Sequence, residues 1–148
     1  MGNRPLHFNL GYSIVRISHV ALWTNDIDRI KRFYSTYFGA TPAPHYVNPA
    51  KGFESCFLLF GDGARLEVMK TTSLSLSAPT QGTQPFGLTH LAIEVGADHL
   101  VDELARRLAE DGIAVLEGPR RTGDGYYEAV TLDPDGNRVE ICAERADT

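Results

Sequence analysis

Two histidines and two glutamates recur in matching surroundings. Ser18-His19-Val20-Ala21 returns later in the chain as Thr89-His90-Leu91-Ala92. Asp62-Gly63-Ala64-Arg65-Leu66-Glu67-Val68 returns, at nearly the same offset, as Asp135-Gly136-Asn137-Arg138-Val139-Glu140-Ile141. Two words repeated at nearly one offset imply a repeated module that carries one His and one Glu. If the modules face each other, His19, Glu67, His90 and Glu140 become four metal-type ligands at one centre. Mixed nitrogen and carboxylate donors suit a divalent cation, and four of them leave two positions open on a six-coordinate ion. A closed structural zinc site would draw on Cys instead. The chemistry natural to an open site of this kind is proton transfer beside a carbonyl. The cation stabilises charge on the substrate oxygens, and Glu140 or Glu67 acts as the base. Two carboxylates placed on opposite faces would lift a proton from one carbon and return it to its neighbour.

Side chains reach one cleft only if strands deliver them to one face. Residues 15–23 read as a strand. A helix follows, capped by Asn25 or Asp26, with Ile27, Ile30, Tyr34 and Tyr37 at helical spacing and Gly39 at its end. Residues 41–47 read as a proline-rich edge strand. Residues 53–60 and 64–70 read as strands joined by the hairpin signal Gly61-Asp62-Gly63. The second half repeats the order βαβββ. It has a strand at 87–95, a helix at 98–111 with Leu100, Leu104 and Leu108 one turn apart, and a strand at 113–117. A hairpin of 126–132 and 137–143 then turns around Asp133-Pro134-Asp135-Gly136. Residues 71–86 have linker composition, which permits the modules to pair within a chain or between two. Alternation sets Leu66 and Val68 opposite Arg65, Glu67 and Met69, and Val139 and Ile141 opposite Arg138, Glu140 and Cys142. Leu91, Ile93 and Val95 oppose His90, Ala92 and Glu94. Each sheet therefore has an apolar face for its helix and a second face that carries His or Glu.

Other residues on the second face are candidates for the substrate pocket. Arg65 and Arg138 point toward the cleft and either bind an anionic substrate or pair with carboxylates. Trp23 faces the same way as His19 and reads as a pocket wall or a core residue, and Met69 shares the face of Glu67. His7, His45 and His99 read as surface or structural. Asp62-Gly63 and Asp135-Gly136 read as turn chemistry, and residues 120–125 as an exposed flexible loop.

At 148 residues the chain makes one domain, or two small halves sharing a core. A net charge of −5 without a Lys/Arg cluster argues against nucleic acid as a partner. No apolar run has the length of a membrane span. The first residues lack a basic end followed by an apolar stretch, so no secretory signal is expected. Cys56 and Cys142 belong to no CxxC pair and read as reduced core or cleft cysteines, which suits a cytoplasmic protein.

The segments His19-Val-Ala-Leu, Arg65-Leu-Glu-Val-Met, Gly87-Leu-Thr-His90-Leu-Ala-Ile-Glu-Val and Asp133-Pro-Asp-Gly-Asn-Arg-Val-Glu140-Ile resemble the vicinal-oxygen-chelate superfamily. The resemblance runs over about residues 14–143, almost the whole chain. It implies an α+β fold in which two βαβββ modules curve mixed sheets around a divalent metal. The domain would span 1–148, with module one at about 14–70, module two at about 87–143 and a linker at 71–86. Within the superfamily the His/Glu/His/Glu set is similar to that of glyoxalase I, the lactoylglutathione lyases. That similarity implies His19, Glu67, His90 and Glu140 as ligands, Glu140 as first choice for the base, and one divalent ion per site (Ni, Co, Zn or Mn/Fe). It also implies a small-molecule substrate and a homodimer. Glyoxalase I commonly has Arg four residues after its first ligand and Asn four after its second, both contacting glutathione. This chain has Trp23 and Thr71 there, so the implied substrate is an α-oxo compound whose carrier stays open. The alternatives within the superfamily are a drug- or metabolite-binding resistance protein without catalysis and an extradiol-type dioxygenase.

Overall fold

The computed structural model describes residues 16–73, 87–123 and 125–144. The first βαβββ unit, whose second strand is divided in two, comprises β1 (His19–Trp23), α1 (Ile27–Phe38), β2 (Thr41–Pro42), β3 (Tyr46–Asn48), β4 (Phe53–Leu59) and β5 (Arg65–Thr71). The second comprises β6 (Leu91–Glu94), α2 (Asp98–Glu110), β7 (Val115–Arg121), β8 (Tyr127–Leu132) and β9 (Arg138–Ala143). The class is α+β, as expected. One sheet runs β1-β5-β4-β2 with β3 also on β4, and the other runs β6-β9-β8-β7. In each, the first strand lies parallel to the last and the remaining pairs are antiparallel. This closure sets the His-bearing end of the unit beside its Glu-bearing strand. Among the described residues no helix is long and apolar enough to cross a membrane.

Asp26 is the residue that caps α1: its side chain accepts from the Arg29 N–H at 2.9 Å. Gly39 closes the helix in the left-handed region, at φ +63°. Ile27, Ile30, Phe33 and Tyr34 form the buried face, while Tyr37 sits at its margin and donates to Asp111 at 2.7 Å. On α2 the buried stripe is Val101, Leu104, Ala105 and Leu108, and Leu100 is 38% exposed. A strict spacing of four drifts around a helix of 3.6 residues per turn, so the stripe gathers around Val101 rather than Leu100.

Three further expectations change. The edge strand expected over 41–47 is two short strands, because Pro42 and Pro44 lack the N–H a continuous ladder needs. The strand expected to stop at 117 continues to Arg121, so Arg120 and Arg121 are strand residues and not loop. Register shifts between Val115 and Arg120 carry it past Gly118, which sits at φ +75°. The first strand begins at His19 rather than earlier, and β6 at Leu91, just after His90. The expectations for His7 and for residues 74–86 fall outside the described residues.

The helix-facing sides of both sheets meet in one core, with Ile30, Leu58 and Val68 from the first unit and Val101, Leu108, Val139 and Ile141 from the second. Tyr34 is fully buried and donates to Asp133 Oδ2 at 3.1 Å. Asp133 also accepts from the N–H groups of Asp135 and Asn137 and from the Asn137 side chain, each at 2.9 Å. Arg29 pairs with Asp135. The Asp133–Gly136 turn is thus more than turn chemistry: it docks the second unit onto α1 of the first. Burial, and then the charge of Asp133, pushes the Tyr34 hydroxyl far above the ordinary tyrosine range.

Candidate metal centre

The two units present the same local arrangement. In the parallel pair β1–β5, Ala21 lies across from Glu67. In β6–β9, Ala92 lies across from Glu140. The histidine stands two residues before the alanine in each case. His19 Nε2 is 3.7 Å from Glu67 Oε2, and His90 Nε2 is 3.1 Å from Glu140 Oε2. The alternate residues Leu66, Val68, Val139 and Ile141 are buried in the core. The His–Glu pairs therefore lie on the sheet faces turned away from the helices, and their side chains remain between 19% and 40% exposed. Ala21 and Ala92 carry no more than a methyl group, so the space between imidazole and carboxylate stays clear.

A hydroxyl residue precedes each histidine. Ser18 Oγ lies 3.3 Å from His19 Nδ1, and Thr89 Oγ1 lies 3.0 Å from His90 Nδ1. A partner on Nδ1 fixes the ring orientation and leaves Nε2 facing the glutamate, the usual arrangement around a metal-bound imidazole. The repeated words contain these hydroxyls and alanines, but letters alone give them no role.

The donor chemistry suits a divalent ion. Nitrogen and oxygen ligands at about 2.1 Å and about a right angle apart lie about 3 Å from each other, close to the His90–Glu140 spacing of 3.1 Å. The His19–Glu67 pair is more open. Among the described residues no three His, Cys, Asp or Glu side chains gather into a metal-binding group. Within one chain the structure therefore brings His19 to Glu67 and His90 to Glu140, but does not bring the two pairs together.

The surroundings of the two pairs differ. Beside the first lie aromatic rings: Phe57 packs edge-on to His19 at 5.4 Å, and Trp23 packs edge-on to Phe53 at 6.4 Å. Met69 pairs with Trp23 across β1–β5. The second pair borders a cavity of about 570 Å³ that Glu94, Glu128 and Cys142 also line. Burial, with the charges of Glu94, Glu140 and Glu128, pushes the Cys142 thiol up to about 11. Cys56 is buried in the core. Of the two arginines, Arg138 is committed to Glu117 at 2.7 Å. That bond, together with one from Arg120 at 2.9 Å, holds the Glu117 carboxyl below the usual carboxylate range. Arg65 instead donates to Ser18 Oγ at 3.2 Å and lies over the Phe57 ring at 4.5 Å. His45 pairs with Glu54 at 3.1 Å, away from both pairs.

Comparison with known proteins places this geometry in context. No curated protein matches the chain in sequence. Among solved structures, glyoxalase I from Zea mays is 26% identical with a TM-score of 0.69; the match covers 90% of this chain and 46% of the maize chain. A glyoxalase family protein from Enterococcus faecalis is 26% identical with a TM-score of 0.69, covering 86% of this chain and 96% of that one. The trypanothione-dependent glyoxalase I of Leishmania major shares the fold at 22% identity and a TM-score of 0.69, with 88% of each chain covered. The sequence profile of one family matches residues 16–141. With two βαβββ units, a His–Glu pair on each and that match across most of its length, the chain belongs to the Glyoxalase/Bleomycin resistance protein/Dioxygenase superfamily.

Proposed function

We propose that the protein is a divalent-metal-dependent lyase or isomerase of the glyoxalase I type, acting on an α-oxo compound through an enediolate. The observation that carries this reading is the doubled His–Glu pair, set in the same way on an open sheet face of each unit. Each face offers half a ligand set, and the opposite faces are consumed by the shared core. We therefore assign the missing half to a second copy of the chain. His19 and Glu67 of one copy would meet His90 and Glu140 of the other, with nickel, cobalt, zinc, manganese or iron as the candidate ions.

A divalent ion held there supplies Lewis acidity, drawing charge from the substrate carbonyl as the neighbouring carbon loses its proton. The remaining work falls to side chains. Glu140, beside the cavity of the second unit, accepts the proton from one carbon and delivers it to the next, so the reaction neither consumes nor releases a proton overall. Glu67 faces the substrate from the other copy. Ser18 and Thr89 hold the imidazoles so that Nε2 stays turned to the site.

The test is to load the purified protein with each candidate ion, measure retained metal, and offer α-oxo substrates beginning with the methylglyoxal–glutathione hemithioacetal. Turnover is expected to fall by about a hundredfold or more in Glu140→Gln, with circular dichroism unchanged. A protein that retains no metal, or that works equally well as Glu140→Gln, overturns the reading. Failure with the hemithioacetal alone removes glutathione as the carrier.

A further inference from the structure

The face around His19 and Glu67 is polarised along its length. Register sets Arg65 beside His19, Glu67 beside Ala21 and Met69 beside Trp23, all on one side of the sheet. A rise of about 3.3 Å per residue puts Arg65 about 7 Å to one side of Glu67 and Met69 with Trp23 about 7 Å to the other. Arg138 and Arg120 are tied to Glu117. Among the described residues the Arg65 guanidinium donates to the Ser18 hydroxyl and lies over the Phe57 ring, which also packs edge-on to His19. At the other end Trp23 is 49% exposed and Tyr46 54% exposed, with Phe53 between them and edge-on to Trp23. Large aromatics gathered on an open sheet face mark a place where something apolar packs.

We infer that the substrate carries an anionic group on one side of its α-oxo centre, held by Arg65, and a flat apolar group such as an aryl ring on the other, held against Trp23 and Phe53. A guanidinium recognises carboxylate or phosphate through paired hydrogen bonds, and edge-to-face geometry lets Trp23 and Phe53 accept a third ring. The inference rests on the catalytic reading for what happens between the two ends, but the two ends themselves bind without it.

The probe is a linear diketone with a benzyl group at one end of the dione and two methylenes leading to a carboxylate at the other. It is compared with its methyl ester and with the analogue in which methyl replaces benzyl. Binding is measured by titration calorimetry on the full chain, both metal-free and cobalt-loaded, in the wild type, Arg65→Gln and Trp23→Ala. Both residues are exposed, so the variants keep the fold, which circular dichroism checks. The wild type is expected to prefer acid over ester, and benzyl over methyl, each by about tenfold. Arg65→Gln should remove the first preference alone, and Trp23→Ala the second alone. Equal binding of acid and ester, preferences that survive the substitutions, or no binding in either form overturns the inference. If both preferences appear in a protein that takes up no cobalt, the substrate face stands and the metal reading fails. If cobalt is retained without either preference, the reverse holds.

Discussion

Two small side chains serve each His–Glu pair of the proposed centre. Ala21 and Ala92 keep the gap between imidazole and carboxylate open, and Ser18 and Thr89 fix the rings. Ala92→Leu places a branched side chain in that gap at an exposed position. It is expected to weaken metal binding by about a hundredfold with an unchanged melting temperature, read by competition against a chromophoric chelator. Thr89→Ala is expected to weaken it by about tenfold, with Thr89→Ser restoring most of the loss. Nitrogen-15 spectra of the metal-free protein should at the same time show His90 losing its single tautomer. A Thr89→Ala protein with wild-type affinity and spectrum would sink the positioning role. The histidines and glutamates were legible in the sequence because duplication repeats them. The alanines were repeated too, but alternation only tells which face a residue occupies. Its partner on the next strand comes from register, which letters do not carry.

The strand alternation and the α1 stripe were legible in kind and in phase, while the α2 stripe was legible in kind but misplaced at one residue. The stripe Leu100, Leu104, Leu108 correctly marks α2 as amphipathic, yet the residue that completes it is Val101. Leu108→Ala should cost about 2–5 kcal/mol, whereas Leu100→Ala should stay within about 0.5 kcal/mol of wild type in urea unfolding. Equal losses would restore the stripe read from spacing. In β7 the backbone itself sets the limit. Gly118 has φ +75°, and a Cβ there would fall within contact of the Glu128 carbonyl oxygen. Gly118→Ala is expected to cost about 1–3 kcal/mol and to disturb the cavity beside His90, since Glu128 lines it. Prolines explain the broken edge of the first sheet, but the strand that carries on past Gly118-Pro119 could not be read because bulges leave no periodic signal.

How the two units sit together was not legible at all, because it depends on contacts between residues far apart in the chain, above all Tyr34 with Asp133. Tyr34→Phe should cost about 1 kcal/mol at neutral pH. It should also alter the alkaline limb of stability. The hydroxyl loses its proton near pH 10.0 in the unfolded chain but far higher in the folded one. Its contribution is thus complete below that pH and is lost as pH rises beyond it, a slope the phenylalanine variant should lack. Assembly across copies has its own signature. Two inactive proteins, His19→Ala with Glu67→Gln and His90→Ala with Glu140→Gln, should regain about a quarter of wild-type metal and turnover when refolded together, since half of randomly mixed dimers hold one complete site of two. An inert mixture would mean that sites close within one chain. The unlike surroundings of the two pairs carry a last implication. The second face holds Glu94, Glu128 and Glu140 together, whereas the first is aromatic and carries Arg65. Two acidic faces repel each other on approach, while an acidic face and an aromatic one on which Arg65 offsets Glu67 do not, so the chain's own charge pattern tells two copies which way round to meet, and added salt should blur that choice.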